Sequence, residues 1–249
     1  MNAFRMIPFQ KFDAFTNMAL DEAIMEGVRS GDTLPTIRFY GWTPSAISIG
    51  IFQGLRNEVN PDAAQAAGID IVRRQTGGGA VYHDTDGEVT YSLIAPLALF
   101  PSSVLESYAL ICTDIVRALA HLGIKASFAP INDIVVNERK ISGNAQTRRN
   151  GVLLQHGTIL HEVNVEKMFS LLAVPPEKMS DKLVKSVRSR VTCVRDLTDC
   201  SITDLCAALE QGFSHKRAIV YGDYTQDERS CAAELASRKY RTDAWNLKL

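Results

Sequence analysis

Cysteine is scarce and unpaired in this chain. Its 249 residues hold five, an odd number, and no two stand in a Cys-x-x-Cys pair. Cys112, Cys193, Cys200, Cys206 and Cys231 therefore suggest neither a disulfide framework nor a zinc ribbon, and their pattern suits a reducing cytoplasm. Neither sign of charge is in excess. Lys plus Arg is 27 against 28 for Asp plus Glu, a net charge of −1. No bulk field favours nucleic acid, so any anion site is local. No apolar run is long enough to span a bilayer, and the opening MNAFRMIPFQKFDAF lacks the long apolar stretch of a secretory signal. His83, His121 and His161 lack metal-ligand spacing, which predicts no structural metal. Repeats, low-complexity tracts and Pro/Gly/Ser linkers are missing too. One compact domain over residues 1–249 is the expectation.

The remainder is ordinary for a globular protein, at 46% hydrophobic and 22% charged. Leu20, Ile24 and Val28 share a face, which predicts a helix from Thr16 to Val28. Thr36 to Tyr40 and Ala46 to Phe52 read as strands around a turn at residues 41–44. Asn60-Pro61 reads as a helix start, with Gly68 as its stop. Ser102 or Ser103 caps a long helix that ends at Gly123, and Cys112 lies beside its apolar stripe as a packing residue. Ile134 to Val136, a turn at Asn137-Glu138 and Lys140 to Ala145 predict a hairpin, with a further strand from Val152 to Leu160. Asn164 reads as a cap, and Ser201 with Asp204 and Thr225 with Glu228 have capping-box spacing. Grouped strands with interspersed helices and no regular βαβ rhythm predict an α+β fold.

Three segments carry chemistry. The first, IDIVRRQTGGGAVYHDTDGEVTYSLIA (69–95), sets Arg73 and Arg74 before Gly77, Gly78 and Gly79. Glycines let backbone N–H groups approach a ligand, and arginines supply a positive fork, so a phosphate or carboxylate is the natural guest. No Gly-Lys-Ser/Thr follows, so this is not a P-loop. The next periodic segment alternates like a strand, so it is not a dinucleotide fingerprint either. The loop joins two strands. The second segment puts Lys140 beside a turn, near the small residues Ser142, Gly143 and Ala145, where a lysine reaches into a groove as a point charge. A solvated hairpin lysine is the plain alternative. The third interrupts an apolar strand with Gln155, His156, Gly157 and Thr158, which is costly unless those groups are satisfied or functional.

RRQTGGGAVYHD, NDIVV…RKISGNAQ and HGTIL, in this order, resemble the lipoate–protein ligase family. LPTIRFYGW, SIGIFQ, KSVRSRV and KYRTDAWN extend the resemblance over nearly the whole chain. It implies a mixed, largely antiparallel sheet flanked by helices, of the class II synthetase and biotin-ligase type, with the acyl chain buried between sheet and glycine loop. It also implies an activity: ATP and Mg²⁺ activate lipoate to lipoyl-AMP, and the lipoyl group passes to a lysine of an acceptor domain. Such acceptors are the E2 subunit of 2-oxoacid dehydrogenases and the glycine cleavage H protein. By the same resemblance Lys140 bridges carboxylate and phosphate, and Arg74 with Gly79, Ala80, Val81 and Tyr82 holds nucleotide and acyl carbonyl. Asn132 and Asp133 flank the adenylate, with Asp133 facing magnesium. Gly77 and Gly78 shape the loop. His83 and His156 line or support the acyl tunnel, and Gly143, Ala145, Gly157 and Thr158 are further substrate- or cofactor-binding positions.

A rival from the same superfamily remains open, an octanoyl or lipoyl transferase working between acyl carrier or lipoyl proteins without ATP. LPTIRFYGW, NAQTRRNGVLLQHG and the KY…WN segment resemble that branch strongly. There the resemblance implies a cysteine nucleophile shortly before the lysine hairpin, whereas residues 123–133 here read GIKASFAPIND. That difference tips the expectation to the ligase. The length resembles bipartite members, whose accessory C-terminal domain is a separate polypeptide and so an expected partner. The basic run KSVRSRV is a candidate for docking partner or AMP. No nucleic acid or membrane partner is expected.

Overall fold

The computed structural model describes residues 3–173 and 188–249. In chain order the strands are β1 (Ala3–Phe12), β2 (Thr36–Trp42), β3 (Ala46–Ile49), β4 (Asp70–Arg73), β5 (Val81–His83), β6 (Glu88–Pro96), β7 (Ser127–Ala129), β8 (Asp133–Val136), β9 (Arg139–Arg149), β10 (Val152–Leu160) and β11 (Ala218–Tyr221). The helices are α1 (Ala14–Ser30), α2 (Leu55–Glu58), α3 (Pro61–Ala66), α4 (Val104–His121), α5 (Val165–Leu171), α6 (Ile202–Ser214), α7 (Gln226–Leu235) and α8 (Asp243–Asn246). Eight strands form one sheet in the order β11-β1-β2-β6-β10-β9-β8-β7, and β4-β3-β5 form a small second sheet. Only β1 with β11 and β1 with β2 run parallel in the large sheet; the rest is antiparallel. This is the expected α+β fold.

Alternation assigns the two faces. Phe39, Val89, Tyr91, Leu93, Leu153 and Ile159 pack with α4 and α6. On the other face Tyr40, Trp42, Ile94, Val152 and Leu154 meet α1 and α7. The candidate site lies on this second face, roofed by the small sheet. The expected capping holds. Ser103 accepts from Glu106 N, Asn164 from Lys167 N, and both capping boxes close reciprocally. The β8–β9 turn places Asn137 at φ 48° and Glu138 at φ 64°, the left-handed pair a two-residue hairpin needs.

Three features depart from expectation. Strand β1 carries no clear periodic signal, and its partner β11 lies far along the chain. β4 and β5, the strands on either side of the glycine loop, do not pair with each other; both pair with β3. Val89 to Ile94 belongs instead to β6 of the large sheet, so the loop bridges nothing within that sheet. Of KSVRSRV, residues 185–187 lie outside the described residues. Arg190 and Val191 run beside Lys140, with Lys140 N donating to Arg190 O at 2.8 Å. Among the described residues, no helix is long and apolar enough to cross a membrane.

Candidate active site

A cavity of about 340 Å³ lies between the two sheets. Its floor follows from strand register. Gly143 on β9 faces Thr158 on β10, Thr158 faces Thr90 on β6, and Thr90 faces Tyr40 on β2. All four line the cavity. Three interstrand steps of about 4.8 Å make this row about 14 Å long.

Lys140 stands at one end of the row. A Cβ on Gly143 would lie 2.7 Å from both Cε and Nζ of Lys140, so the lysine lies directly over that glycine. Asp133 Oδ1 sits 2.7 Å from the ammonium, and the two side chains are 35% and 42% exposed. Beneath them Asn144 closes the hairpin. Its amide donates to Asn132 O at 2.9 Å and its Oδ1 accepts from Tyr91 OH at 2.7 Å. The lysine is thus an accessible charge on a rigid strand.

The other end of the row is aromatic and closed. Trp42 stacks on His83 with centroids 4.0 Å apart and planes at 17°. Trp42 Nε1 donates to Thr90 Oγ1 at 2.9 Å, and Thr90 donates to Glu88 Oε1 at 2.8 Å. Glu88 also accepts from His83 Nδ1 at 2.6 Å, which leaves His83 Nε2 to accept from Ser48 Oγ at 2.8 Å. Ser48 in turn accepts from Arg74 Nη1 at 3.1 Å. A second relay mirrors the first. Arg74 Nε donates to Thr76 Oγ1, Thr76 to His156 Nε2 at 2.8 Å, and His156 Nδ1 to Asp21 Oδ2 at 3.2 Å. Burial holds the His156 imidazole below its ordinary range, with Asp21 working against that shift, so the ring is neutral at neutral pH.

Each relay has the connectivity of a nucleophile triad. Neither hydroxyl is placed to act as one. Ser48 is 1% exposed and Thr76 fully buried, and Ser48 belongs to the end of the groove away from Lys140. Their hydrogens are committed to the imidazoles. The relays fix the shape of the closed end.

Arg74 is the hub of both relays. Its five N–H donors go to Thr76 Oγ1, Ser48 O, Ser48 Oγ, Gly77 O and Gly79 O. Burial lowers its pKa to about 10, still cationic at neutral pH. Arg74 was expected to grip a ligand directly; in this fold its donors hold the glycine loop. Gly78 sits at φ 95°, a backbone that only glycine adopts freely. Arg73, the neighbouring arginine, faces away and ties the loop to Trp245 O and Asn246 O.

Most of the residues singled out in the sequence surround this one cavity: Arg74, Gly78 to His83, Asn132, Lys140, Gly143, Ala145, His156, Gly157 and Thr158. Gly77 and Asp133 are not on its wall. Asp133 faces the Lys140 ammonium, and among the described residues no group of three or more His, Cys, Asp or Glu is gathered as for a metal. Sequence reasoning missed Met18, Tyr40, Trp42, Ser48, Glu88 and Thr90, all of which line the cavity. Tyr40, Trp42 and Ser48 lie in LPTIRFYGW and SIGIFQ, where the polar atoms are the usable signal, whereas Met18, Glu88 and Thr90 carry none. None of the five cysteines lines the cavity. Cys112 is fully buried on α4, and burial pushes its thiol up to about 12.

Residues 13–214 match the family model of the lipoyl protein ligase A/B catalytic domain. The octanoyltransferase LipM of Geobacillus kaustophilus is 36% identical, with 93% of each chain covered. A bi-partite lipoate protein ligase from Thermoplasma acidophilum, solved as part of a lipoylation system with its E2 lipoyl domain, superposes with a TM-score of 0.89 at 34% identity. That match covers 99% of this chain and 96% of the other. A lipoate-protein ligase A bound with ATP superposes at 0.84 with 31% identity and 99% of each chain covered.

The sequence relatives correct the expected reaction. Curated octanoyltransferases match this chain at 33–36% identity over 93–100% of its length, and a transferase takes its acyl group from a donor. These relatives overturn the expectation of ATP-driven lipoate activation, and with it that of magnesium at Asp133. The missing cysteine beside the lysine hairpin does not outweigh these relatives. A glycine loop and a lysine charge suit an acyl group and an oxyanion equally well however the acyl group is activated, so neither feature specifies ATP.

Proposed function

The chain belongs to the lipoyl protein ligase A/B catalytic-domain family, and on that footing we propose that it transfers an octanoyl group from a thioester donor to a lysine amine of a lipoyl-type acceptor domain. The groove is the observation that carries this reading. An extended eight-carbon acyl chain spans about 9 Å between its carbonyl and terminal carbons, given C–C bonds of about 1.5 Å. Adding an approach of about 3 Å to Lys140 and a van der Waals radius at the methyl end fills the row of about 14 Å. The carbonyl then lies at the ammonium and the methyl end at the Trp42–His83 stack. Burying such a chain supplies about 0.8 kcal/mol per methylene.

The chemistry that follows needs few parts. The acceptor amine attacks the thioester carbon and forms the C–N bond, while the carbonyl pair moves onto oxygen. Lys140 holds that oxyanion with its positive charge, positioned in advance by Asp133 and the β9 backbone. Collapse breaks the C–S bond, and the thiolate leaves with the proton lost by nitrogen. The donor is already activated, so no ATP enters. With no cysteine in the cavity, the acyl group passes directly from donor to acceptor in a ternary complex. An acyl carrier protein is the class of donor, and the E2 lipoyl domain seen with the archaeal relative is the class of acceptor.

The test is a mass measurement. The chain is incubated with an octanoyl-acyl carrier protein and a lipoyl domain, without ATP, and the acceptor is weighed intact. One octanoyl group on the acceptor lysine is expected. An unmodified acceptor under these conditions, alongside modification from free octanoate and ATP, refutes the proposal.

A further inference from the structure

We propose that Met18 sets the length of acyl chain that the groove accepts. This rests on the acyl-groove reading above. Four side chains gather at the Tyr40 end of the row, away from Lys140: Tyr40 itself, Trp42 two residues on, His83 stacked on Trp42, and Met18 packed with Tyr40 and Trp42. They differ in how firmly they are held.

Trp42 is fixed twice, by its stack on His83 and by its bond to Thr90. His83 is held at both ring nitrogens, with Nδ1 donating to Glu88 and Nε2 accepting from Ser48. Tyr40 lies under the Arg38 guanidinium at 3.9 Å, and that arginine pairs with Asp21 at 3.1 Å. None of these rings has room to turn without breaking a buried polar contact, which is the costly kind. Met18 offers no hydrogen bond. It is an unbranched thioether with three rotatable bonds, the side chain type that yields most easily in a packed wall.

Its backbone is nonetheless fixed against the end of the groove. Asn17, the preceding residue on α1, donates to Gly41 O at 3.0 Å and to Phe12 O at 3.1 Å. Gly41 O directly precedes Trp42. Arg38 Nη2 donates back to Asn17 O and Oδ1 at 3.1 Å. So α1 cannot retreat as a unit, and Met18 is 3% exposed, packed in one cluster with Tyr40 and Trp42. Of these four side chains Met18 is the one that can yield to a longer chain, and a smaller residue there extends the groove.

The measurement is the binding of free saturated fatty acids of six to twelve carbons, by displacement of a fluorescent fatty acid. It requires neither donor nor acceptor. The wild-type protein should bind the eight-carbon acid best. Met18→Ala removes a side chain worth two to three methylenes of length. Its optimum should move to about ten carbons. At about fourfold per buried methylene, decanoate should bind the variant about 15-fold tighter than it binds the wild type. Met18→Val should move the optimum part of the way, and Met18→Phe toward shorter acids. These variants keep the test alive if Met18→Ala does not fold. Optima that stay at eight carbons in folded variants overturn the role of Met18 while leaving the groove intact. Failure of wild-type protein to bind any of the acids overturns the acyl-groove reading itself.

Discussion

Gly143→Ala separates position from charge at Lys140. The new Cβ would lie 2.7 Å from Cε and Nζ of that lysine, closer than real contacts allow. The obstacle is the far end of a flexible, 42% exposed side chain, so the lysine moves and the strand stays. The ion pair to Asp133 is disturbed, but an exposed pair of this kind is worth little. Alanine also restricts the unfolded chain, a gain of about 0.4–1 kcal/mol, so the melting temperature should hardly change. Catalysis should suffer. A charge preset for an oxyanion is worth about 10²–10³ in rate, and a misplacement of about 1 Å costs on the order of 100-fold. Transfer by Gly143→Ala should therefore fall about 10- to 100-fold while the fold stays intact. Gly157→Ala is the control with the opposite signature. There a Cβ would lie 2.1 Å from Asn144 Oδ1 and 2.8 Å from the carbonyl of Gly143, atoms that cannot swing away. Overpacking of this kind costs about 1–3 kcal/mol, which lowers the melting temperature about 2–4 °C for each kcal/mol. Octanoyl transfer followed by intact mass, with thermal melts on the same samples, reads both. Wild-type kcat/KM in a folded Gly143→Ala enzyme would show that the place of Lys140 over the groove is irrelevant to the reaction.

Lys140→Ala should abolish transfer, by about 10²–10³ or more, with an unchanged melt; near-normal turnover by the folded variant removes the lysine from the mechanism. Replacing all five cysteines with alanine should leave transfer in place, with about 1 kcal/mol of stability lost from packing at Cys112; an acyl thioester trapped on any wild-type cysteine contradicts direct transfer. The buried His156 imidazole titrates below its ordinary value of 6.5. The stability it allows is present above that pH and declines as pH falls beneath it, because the unfolded chain binds a proton that the folded one refuses. Melts from about pH 7.5 to about 5.5 should show that decline, and His156→Gln should flatten it; equal slopes in both proteins count against the buried neutral ring.

Legibility in the sequence followed locality. The Lys140 hairpin, β10 and both capping boxes are each written within a dozen residues, and each folds as expected. β2 is buried along its whole length, yet its TIRF stretch still reads as a strand because Thr36 and Ile37 are β-branched and Phe39 is aromatic. β1 was not legible, because it carries no clear period, reaches β2 only across α1 and meets its other neighbour β11 more than 200 residues on. The site divided in the same way. Glycines and a lysine announce themselves by type. Ser48, Glu88 and Thr90 look like ordinary strand residues until the fold aims them at one another. Arg74 was visible as a charge, but its five partners come from four separate residues on two segments, so its role as a clamp could not be read from spacing. The reaction was the least legible part, since a carbonyl held at an ammonium looks the same whichever leaving group it carries.

The clamps on the glycine loop come from far downstream. Arg73 is held by Trp245, 172 positions later, and by Asn246, and Gln75 by Tyr240, 165 positions later. β1 likewise gains its partner β11 only after residue 218. At synthesis rates of about 5–20 residues per second, the loop exists for roughly 8–35 s before its holders are made. During that interval the nascent chain carries an unclosed groove and a strand edge open to pairing. Slow translation lengthens the exposure and favours association between growing chains, whereas the finished chain closes both at once. The order in which the ribosome delivers these residues thus leaves the glycine loop and the β1 edge uncovered until their late partners are made.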